Sequence, residues 1–235
     1  MSEQTLKRVD LIFGEYSNEK YKVLATTLER TNEEILKELL DSGLKGRGGA
    51  GFPTAMKWKF TADAPGDEKY VVCNADEGEP GTFKDREILL RVPRKVFSGM
   101  AICGRVIGAK KGLMYLRGEY KFMVPELMKE LAIYHEHIKT LGFDFPIEIR
   151  MGSGAYICGE ESALFESMEG GRGEPRNKPP YPTTSGFMKK PTVINNVETF
   201  VNVLMIMRLG PDQYKQLGTT DSRGSKVFSV SGDTP

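Results

Sequence analysis

Residues 46–51, GRGGAG, fit the pattern G-x-G-x-x-G, in which glycines let a backbone approach the pyrophosphate of a dinucleotide. In a Rossmann domain this loop follows a strand and opens a helix. Here it follows a predicted helix, because Thr31 and Glu34 form a capping box and Gly43 occupies a C-cap position. The loop then continues into residues 52–53, Phe-Pro, rather than into a helix interior. These flanks argue against a Rossmann domain.

Two other interpretations of the glycines differ in strength. A P-loop is excluded. Gly46 and Gly51 are separated by four residues, as a P-loop requires, but Gly51 is not followed by Lys and Ser/Thr. A glycine-rich loop that binds no ligand stays open on the evidence of the loop alone. What else surrounds the loop therefore decides its function.

Length and charge limit the class of protein. A chain of 235 residues suits a single domain with a sizeable core, and a net charge of +1 without a basic run argues against nucleic-acid binding. The apolar run at 201–207 is too short to cross a membrane and is typical of a buried helix face. The N-terminus lacks the apolar segment of a signal peptide. We therefore expect a cytoplasmic protein without direct membrane insertion.

The cysteines and histidines do not predict a metal site. Cys73, Cys103 and Cys158 lie far apart without a C-x-x-C pair, which indicates a reducing compartment and argues against a cysteine-ligated cluster or zinc site. His135 and His137 diverge on a predicted helix, where a solvated face is expected. We predict no metal ligands in this chain.

Helices and strands alternate along the chain. Strands are predicted at 70–73, 112–117, 145–150 and 226–232, and helices at 94–107, through 127–138, and from near 160 and near 195. This alternation favours an α/β sandwich with a mixed or parallel sheet. A long loop at 170–191 contains aromatic residues and is expected to be functional rather than disordered.

Four polar or glycine-rich clusters fall in loops between these elements: the glycine loop with the segment behind it, and residues 73–87, 152–163 and 191–199. Each alone has an ordinary explanation as a turn or a helix end. Together they supply glycines for close approach, carboxylates, amides and aromatic rings, which suits a ligand with polyol, phosphate and flat-ring parts.

The segments GRGGAGFPT, CNADEGEPGTFKDR, GAYICGEESAL and KPPYP…KPTVINNVET closely resemble the flavin-bearing NADH dehydrogenase subunit of respiratory complex I, NAD-reducing hydrogenases and NAD-dependent formate dehydrogenases. The resemblance begins near Leu36 and continues to the C-terminus. It implies a non-Rossmann α/β fold that binds FMN with NAD(H) stacked against it. The implied activity is an FMN-dependent NADH dehydrogenase, or diaphorase, in which hydride passes from NADH to the flavin and electrons continue to iron–sulfur centres.

Matching positions in the motifs imply the binding residues. The implied FMN contacts are Gly46, Arg47, Gly48, Lys57, Asn74, Asp76, Glu77, Tyr156, Gly159, Glu160, Asn195, Asn196 and Thr199. The implied NADH contacts are Gly49, Phe52, Phe60, Glu79, Glu161, Lys178 and Tyr181, with Glu79 as the catalytic position. The aromatic members of the second set are expected to stack around the adenine.

Two departures from the family are visible. Ala55 stands where the family usually has a glycine, and the family's ubiquitin-like domain and its helical domain with four 4Fe–4S cysteines are not found in this sequence. We predict an FMN- and NADH-binding domain at 1–225, with 226–235 as the start of a following domain. The implied partners are a thioredoxin-like 2Fe–2S subunit and further iron–sulfur, hydrogenase, formate dehydrogenase or quinone-reductase subunits.

The residues favour a soluble hydrogenase or formate dehydrogenase subunit, with complex I as the alternative. A structural subunit that binds nucleotide without turnover is a further alternative. The retained carboxylates and nicotinamide-side residues argue against it.

Overall fold

The computed structural model describes residues 11–14 and 21–233. Its four strands are β1 (Tyr70–Ala75), β2 (Gly112–Leu116), β3 (Ile147–Met151) and β4 (Thr192–Asn196). They form one sheet in the order β3-β2-β1-β4, and every neighbouring pair is parallel. The predicted α/β class is confirmed, and the sheet is parallel rather than mixed.

Ten α-helices surround or extend this sheet in the described residues. They are α1 (Lys22–Leu28), α2 (Asn32–Ser42), α3 (Thr54–Asp63), α4 (Lys84–Arg91), α5 (Pro93–Ile107), α6 (Val124–Thr140), α7 (Glu161–Met168), α8 (Pro182–Ser185), α9 (Val197–Leu209) and α10 (Pro211–Lys215). Short 3-10 segments occupy Gly118–Met123, Tyr156–Gly159 and Phe187–Lys189. No helix in these ranges is long and apolar enough to cross a membrane.

Strands β1, β2 and β4 are buried on both faces, whereas most of the edge strand β3 is exposed or partly exposed. Along β1, Val71 and Cys73 belong to the larger core, and Tyr70 and Val72 belong to the smaller one. The larger core contains α5 and α9, which cross so closely that a Cβ atom on Gly99 would lie 2.2 Å from the Phe200 carbonyl oxygen. The smaller core is covered by α7. Strands buried on both faces are typical of parallel sheets with helices on each side, so the predicted sandwich is a three-layer one.

Most predicted elements are present within a few residues. The capping box of Thr31 and Glu34 begins α2, and Gly43 ends it in the left-handed conformation with φ of 66°. The helix expected at 94–107 is α5, and its N-terminal turn includes Pro93, which the missing N–H of proline favours at that position. The apolar run at 201–207 lies in α9, buried as expected.

Three differences matter for the site. Residues 192–196 form a strand that the sequence did not predict, and it runs into α9 without an intervening loop. The glycine loop leads at once into α3, so the expectation that the loop does not open a helix is wrong, and it is helix α2, rather than a strand, before the loop that argues against a Rossmann domain. The strand predicted at 226–232 is wrong, because no strand forms there: the Val227 N–H donates to Glu198 Oε1 (2.9 Å) and Ser229 Oγ accepts from the Phe83 N–H (2.8 Å).

The two histidines of α6 are not on a fully solvated face, which corrects that expectation. Both are half-buried. His135 Nε2 accepts a hydrogen bond from the Ile147 N–H of β3 (3.0 Å), and His137 stacks on Tyr21 with ring centroids 4.3 Å apart. In the described ranges, no group of three or more His, Cys, Asp or Glu side chains could hold a metal ion.

Strand order fixes where a ligand site can form. The chain moves outward from β1 to β2 and β3, and then returns to place β4 on the opposite side of β1. The order therefore reverses between β1 and β4. In open α/β sheets, ligands bind beyond the carboxyl ends of the strands at such a reversal.

Candidate functional site

A cleft of ≈ 610 Å³ lies beyond the carboxyl ends of β1 and β4. This size falls in the range of cofactor and small-molecule sites, about 300–1,000 Å³. Predicted site residues that line it are Gly46, Gly48, Phe52, Lys57, Phe60, Asn74, Gly159, Glu160, Glu161, Lys178, Tyr181, Asn195, Asn196 and Thr199. All four sequence clusters therefore contribute residues to one cleft.

The glycine loop is a closed excursion of the backbone. At its base the Thr54 N–H donates to the Leu44 carbonyl (3.0 Å), and the Gly46 N–H donates to the Phe52 carbonyl (2.9 Å). At its centre, a Cβ atom on Gly48 would stand 3.1 Å from Asn196 Cβ. The glycines thus let this backbone lie directly against the end of β4, which is a cradle that a side chain would fill.

Arg47 faces away from the cleft and is buried, although it was expected to contact FMN. Its guanidinium donates to the carbonyl oxygens of Lys45 (3.1 Å), Arg223 and Ser225 (2.5 and 3.2 Å), and to the Tyr214 hydroxyl (3.3 Å). Its backbone N–H donates to Thr199 Oγ1 (2.9 Å). Arg47 therefore ties the glycine loop to α9 and to the segment after α10.

Lys57 on α3 brings a cation into the cleft. Its Nζ donates to the Ile194 carbonyl at the end of β4 (2.9 Å). Burial lowers the pKa of Lys57, and the nearby Glu161 carboxylate opposes that shift. An ammonium group has three donors, so Lys57 retains capacity to bind an anion such as a phosphate.

Asn74, near the end of β1, joins the sheet to the segment at 156–159. Its Nδ2 donates to the Gly159 carbonyl (2.9 Å), and its Oδ1 accepts from the Asp76 N–H (3.1 Å). Burial raises the pKa of Asp76 to about 6, with Arg117 lowering it and Glu119 raising it. Asp76 lies beside this junction and is not among the cleft-lining residues.

The consecutive asparagines at the end of β4 are held from two directions. Trp58 Nε1 donates to the side-chain oxygen of Asn195 (2.9 Å) in the amide orientation that satisfies both groups. Asn196 caps α9 by accepting from the Glu198 N–H (3.0 Å), and its Nδ2 donates to Asp85 Oδ2 (2.6 Å). Both amides are therefore held in place by contacts within the protein.

A buried ion cluster lies under Asn196. Lys84 Nζ contacts Asp85 (2.7 Å), Glu198 (3.1 Å) and Asn196 Oδ1 (3.1 Å). Burial raises the pKa of Asp85 to about 6, and Lys84 opposes that shift. Burial lowers the pKa of Lys84, but Asp85 and Glu198 raise it by a larger amount, so the pKa of Lys84 is above its usual value. The sequence motif contained Lys84 and Asp85, but only the fold shows that they support the site.

Two carboxylates and a lysine lie on the α7 side of the cleft. Glu160 is the N-cap of α7: its Oε2 accepts from the N–H groups of Ser162 (2.8 Å) and Ala163 (2.9 Å). Lys178 Nζ contacts Glu160 Oε1 (3.1 Å) and Glu161 Oε1 (2.6 Å). Burial raises the pKa of Glu160, but these hydrogen bonds and Lys178 lower it more.

Three aromatic rings are exposed at the mouth of the cleft. Phe52, Phe60 and Tyr181 are 46%, 45% and 58% exposed, respectively. Exposed rings beside polar groups are suited to stacking on a flat ligand.

Several predicted residues do not line the cleft. Besides Arg47 and Asp76, Glu77 is buried and accepts from the N–H groups of Asp85 (3.0 Å) and Arg86 (3.2 Å), so it caps α4. The Glu79 carboxylate accepts a hydrogen bond from the Tyr156 hydroxyl on an exposed surface. Gly49 belongs to the glycine loop but is not among the lining residues.

The cleft also has lining residues that sequence reasoning missed: Ala50, Gly51, Pro182, Thr183 and Ile194. The first two belong to the motif itself, and Ile194 follows from the unpredicted β4. Pro182 and Thr183 begin α8. This helix has only four residues, too few for a helical period to be visible in the sequence.

The donor set fits a flavin nucleotide. The glycine cradle admits a flat group without an intervening side chain, Lys57 and backbone amides suit a phosphate, and Asn74 with Asn195 suits polar ring edges or hydroxyls. The arrangement therefore defines a nucleotide-binding cleft at the strand-order reversal of a parallel sheet, outside the Rossmann class.

Residues 39–205 match the family described as the Nuo51 FMN-binding domain. The chain belongs to this family. It is 52% identical over 208 residues to the alpha subunit of the NAD-reducing hydrogenase HoxS of Cupriavidus necator, covering 86% of this chain and 35% of that protein. It is 47% identical over 218 residues to an NADH-quinone oxidoreductase subunit of Aquifex aeolicus, covering 90% and 51%.

The fold is shared with a solved structure. A crystal structure of an NAD⁺-reducing NiFe hydrogenase in the H₂-reduced state matches with a TM-score of 0.84 and 49% identity, covering 88% of this chain and 36% of that chain. The chain thus spans about a third to a half of the length of the relatives it matches. The predicted family and non-Rossmann fold are confirmed.

Proposed function

We propose that this chain is an FMN-dependent NADH dehydrogenase, or diaphorase, module that transfers hydride between NAD(H) and bound FMN. The observation that carries the proposal is that Lys57, Asn74 and the Gly48 cradle converge in one cleft at the reversal of strand order. The family assignment and the names of the relatives, which reduce NAD⁺ or oxidise NADH, support it. When bound, FMN supplies the chemistry, since it accepts a hydride and releases electrons singly.

The protein's own contribution is alignment and electrostatics. Lys57 and the glycine-loop amides hold the FMN phosphate, while Asn74, Asn195 and Asn196 present fixed amides to the rest of the nucleotide. Asp76, Glu77, Tyr156, Gly159, Glu160 and Thr199 remain proposed FMN contacts, directly or through the backbone. No side chain of this set acts as a nucleophile.

The NAD(H) half of the cleft has a different composition. We assign Phe52, Phe60 and Tyr181 to stacking on the adenine, and Glu161 and Lys178 to the adenosine hydroxyls and phosphates. Gly49 and Glu79 remain proposed contacts near the nicotinamide, with Glu79 in the catalytic position. The hydrogen bond from the Tyr156 hydroxyl holds the Glu79 carboxylate on the surface near the segment at 156–159.

The assembly is proposed from the relatives. Their names place them in a hydrogenase and in a quinone oxidoreductase, so we infer that electrons leave this module for iron–sulfur subunits, including a 2Fe–2S subunit. The identity to the hydrogenase relative is greater, which favours a hydrogenase-type assembly in the cytoplasm, with complex I as the second candidate.

A pair of lysines on α3 tests the proposal. Lys57 faces the cleft, whereas Lys59 is exposed and pairs with Asp63 (2.7 Å). FMN-loaded protein should reduce ferricyanide with NADH, and protein stripped of FMN should not. Lys57→Gln should weaken FMN binding by about 10- to 100-fold, the value of a charge-assisted hydrogen bond, and Lys59→Gln should not weaken it. An FMN affinity that is equal in both variants would contradict the proposed site.

A further inference from the structure

The segment at 172–190, here called the strap, leaves the end of α7 and returns to β4. It carries Lys178, Tyr181, Pro182 and Thr183 into the cleft. Only the four residues of α8 and a short 3-10 segment give it regular structure. Its shape therefore depends on side-chain contacts with the rest of the domain.

Arg176 makes several of those contacts. Its guanidinium donates from Nε to Glu166 Oε1 (2.5 Å) and from Nη2 to Glu169 Oε2 (2.9 Å). Glu166 lies on α7, and Glu169 is its C-cap residue. A third bond runs from Nη1 to the Gly186 carbonyl (2.8 Å) on the returning part of the strap. One side chain thus joins the outgoing part of the strap, its returning part and α7.

The backbone of Arg176 reaches the carboxylates of the cleft through one hydroxyl. The Arg176 N–H donates to Ser162 Oγ (2.9 Å), and Ser162 Oγ donates to Glu160 Oε2 (2.5 Å). Lys178, two residues further along the strap, contacts Glu160 and Glu161. The anchor and the cleft residues therefore share one hydrogen-bonded network.

The charge of Arg176 also strengthens these contacts. Burial lowers the pKa of Arg176, but Glu166 and Glu169 raise it by a larger amount, so the guanidinium stays charged. Its side chain is 24% exposed, and the guanidinium carbon lies 5.8 Å from the centre of the Phe165 ring. Charge-assisted bonds in such a partly buried place are stronger than ordinary surface pairs.

We infer that Arg176 is a positioning residue that holds the strap in the conformation that presents Lys178 and Tyr181 to NAD(H). The inference rests on the proposed function, because it assigns the strap to the NAD(H) half of the cleft. It predicts that loss of Arg176 lowers the fraction of molecules competent to bind NAD(H), while FMN, held by the glycine loop and β4, binds as before.

The test compares Arg176→Gln with Arg172→Gln in the FMN-loaded chain. Arg172 is also on the strap, but its side chain is 89% exposed and pairs with Glu174 (3.2 Å). Arg176→Gln should raise the KM for NADH about tenfold and weaken NAD⁺ binding, measured by calorimetry, by the same factor. Both changes follow the decrease in the fraction of molecules whose strap can bind NAD(H). FMN affinity and kcat should stay near wild type. Arg176→Lys should give an intermediate KM, and Arg172→Gln a wild-type KM.

Hydrogen exchange gives a readout that does not depend on turnover. Arg176→Gln should speed exchange in peptides covering 172–190 and leave the glycine-loop peptides unchanged. Equal strap exchange in the variant and wild type would overturn the role of Arg176, whether or not the wild type oxidises NADH. A parallel loss of FMN affinity and NAD⁺ affinity would also overturn it, since Arg176 would then stabilise the domain generally. Wild-type protein that oxidises no NADH would instead contradict the proposed function.

Discussion

Gly48 lies so close to Asn196 that a Cβ atom added to the glycine would stand 3.1 Å from Asn196 Cβ. Asn196 has little freedom to move away, because its amide is bonded to Asp85 (2.6 Å) and to Lys84 (3.1 Å). The glycine loop and the end of β4 therefore have one mutual arrangement. We propose that FMN binds against it.

Gly48→Ala should weaken FMN binding by about tenfold, because an extra methyl group in a tightly packed place costs about 1–3 kcal/mol. Gly46→Ala should weaken FMN binding much less, since the added Cβ atom would meet nothing nearer than 3.7 Å. Fluorescence titration of FMN measures both affinities. Equal losses in the two variants would mean that the contact with Asn196 does not shape the cleft.

Arg47→Ala should lower the free energy of unfolding by about 1–3 kcal/mol, because one buried and three partly buried acceptors lose their donor together. The acceptors are the carbonyl oxygens of Lys45, Arg223 and Ser225 and the Tyr214 hydroxyl. Urea unfolding measures the change. Full stability combined with lost FMN affinity would show instead that the guanidinium reaches the ligand.

Asp76→Asn should change how stability depends on pH. Burial raises the pKa of Asp76 from 3.8 to about 6 in the folded chain. In the pH window between these two values, the folded state keeps a proton that the unfolded state has lost. The contribution of Asp76 to stability therefore falls as pH rises through the window. The Tm of Asp76→Asn minus that of wild type should increase over the same range and be constant above it. A difference that is flat across this range would mean that Asp76 titrates normally.

Glu161→Gln should narrow a preference for NADH over NADPH, because a 2′-phosphate near the adenosine ribose would no longer meet a carboxylate. Lys178 contacts this carboxylate at 2.6 Å and Glu160 at 3.1 Å, so without the Glu161 charge it keeps one carboxylate partner and has donors left for the phosphate. The ratio of kcat/KM for the two cofactors measures the change.

Glu160 provides the comparison for this prediction. It also contacts Lys178 but caps α7, so Glu160→Gln should lower Tm more than Glu161→Gln and shift cofactor preference less. An unchanged cofactor ratio in Glu161→Gln would leave that residue as a helix-end charge.

The sequence predicted the parts of the fold that have a clear period or a cap. Helix α2 has a capping box and a terminal glycine, and β1 has an apolar run bounded by polar loops. Strand β4 was missed because Asn196 both ends it and caps α9, so no turn separates strand from helix. The segment at 226–232 alternates like a strand, but its inward groups bond to Glu198 and Phe83.

The site was predictable as a set of motifs but not as a geometry. Gly48 and Lys57 could be named because the motifs that contain them match those of the family, and glycine and lysine are residue types that suit a phosphate. The direction of the buried Arg47 side chain, away from the cleft, depends on carbonyl oxygens that are distant in sequence, such as that of Ser225. The strap anchor Arg176 likewise depends on contacts that local sequence does not encode, because Gly186 and Glu166 approach it from separate elements.

The most direct measurement is an absorption spectrum of the FMN-loaded chain before and after a stoichiometric addition of NADH without oxygen. We expect the visible flavin band to bleach at once and to return when ferricyanide is added. Lys59→Gln should behave in the same way, because Lys59 lies outside the cleft. If FMN stays bound and its visible band is unchanged after NADH is added, hydride transfer is contradicted. The chain would then be a domain that binds nucleotide without turnover.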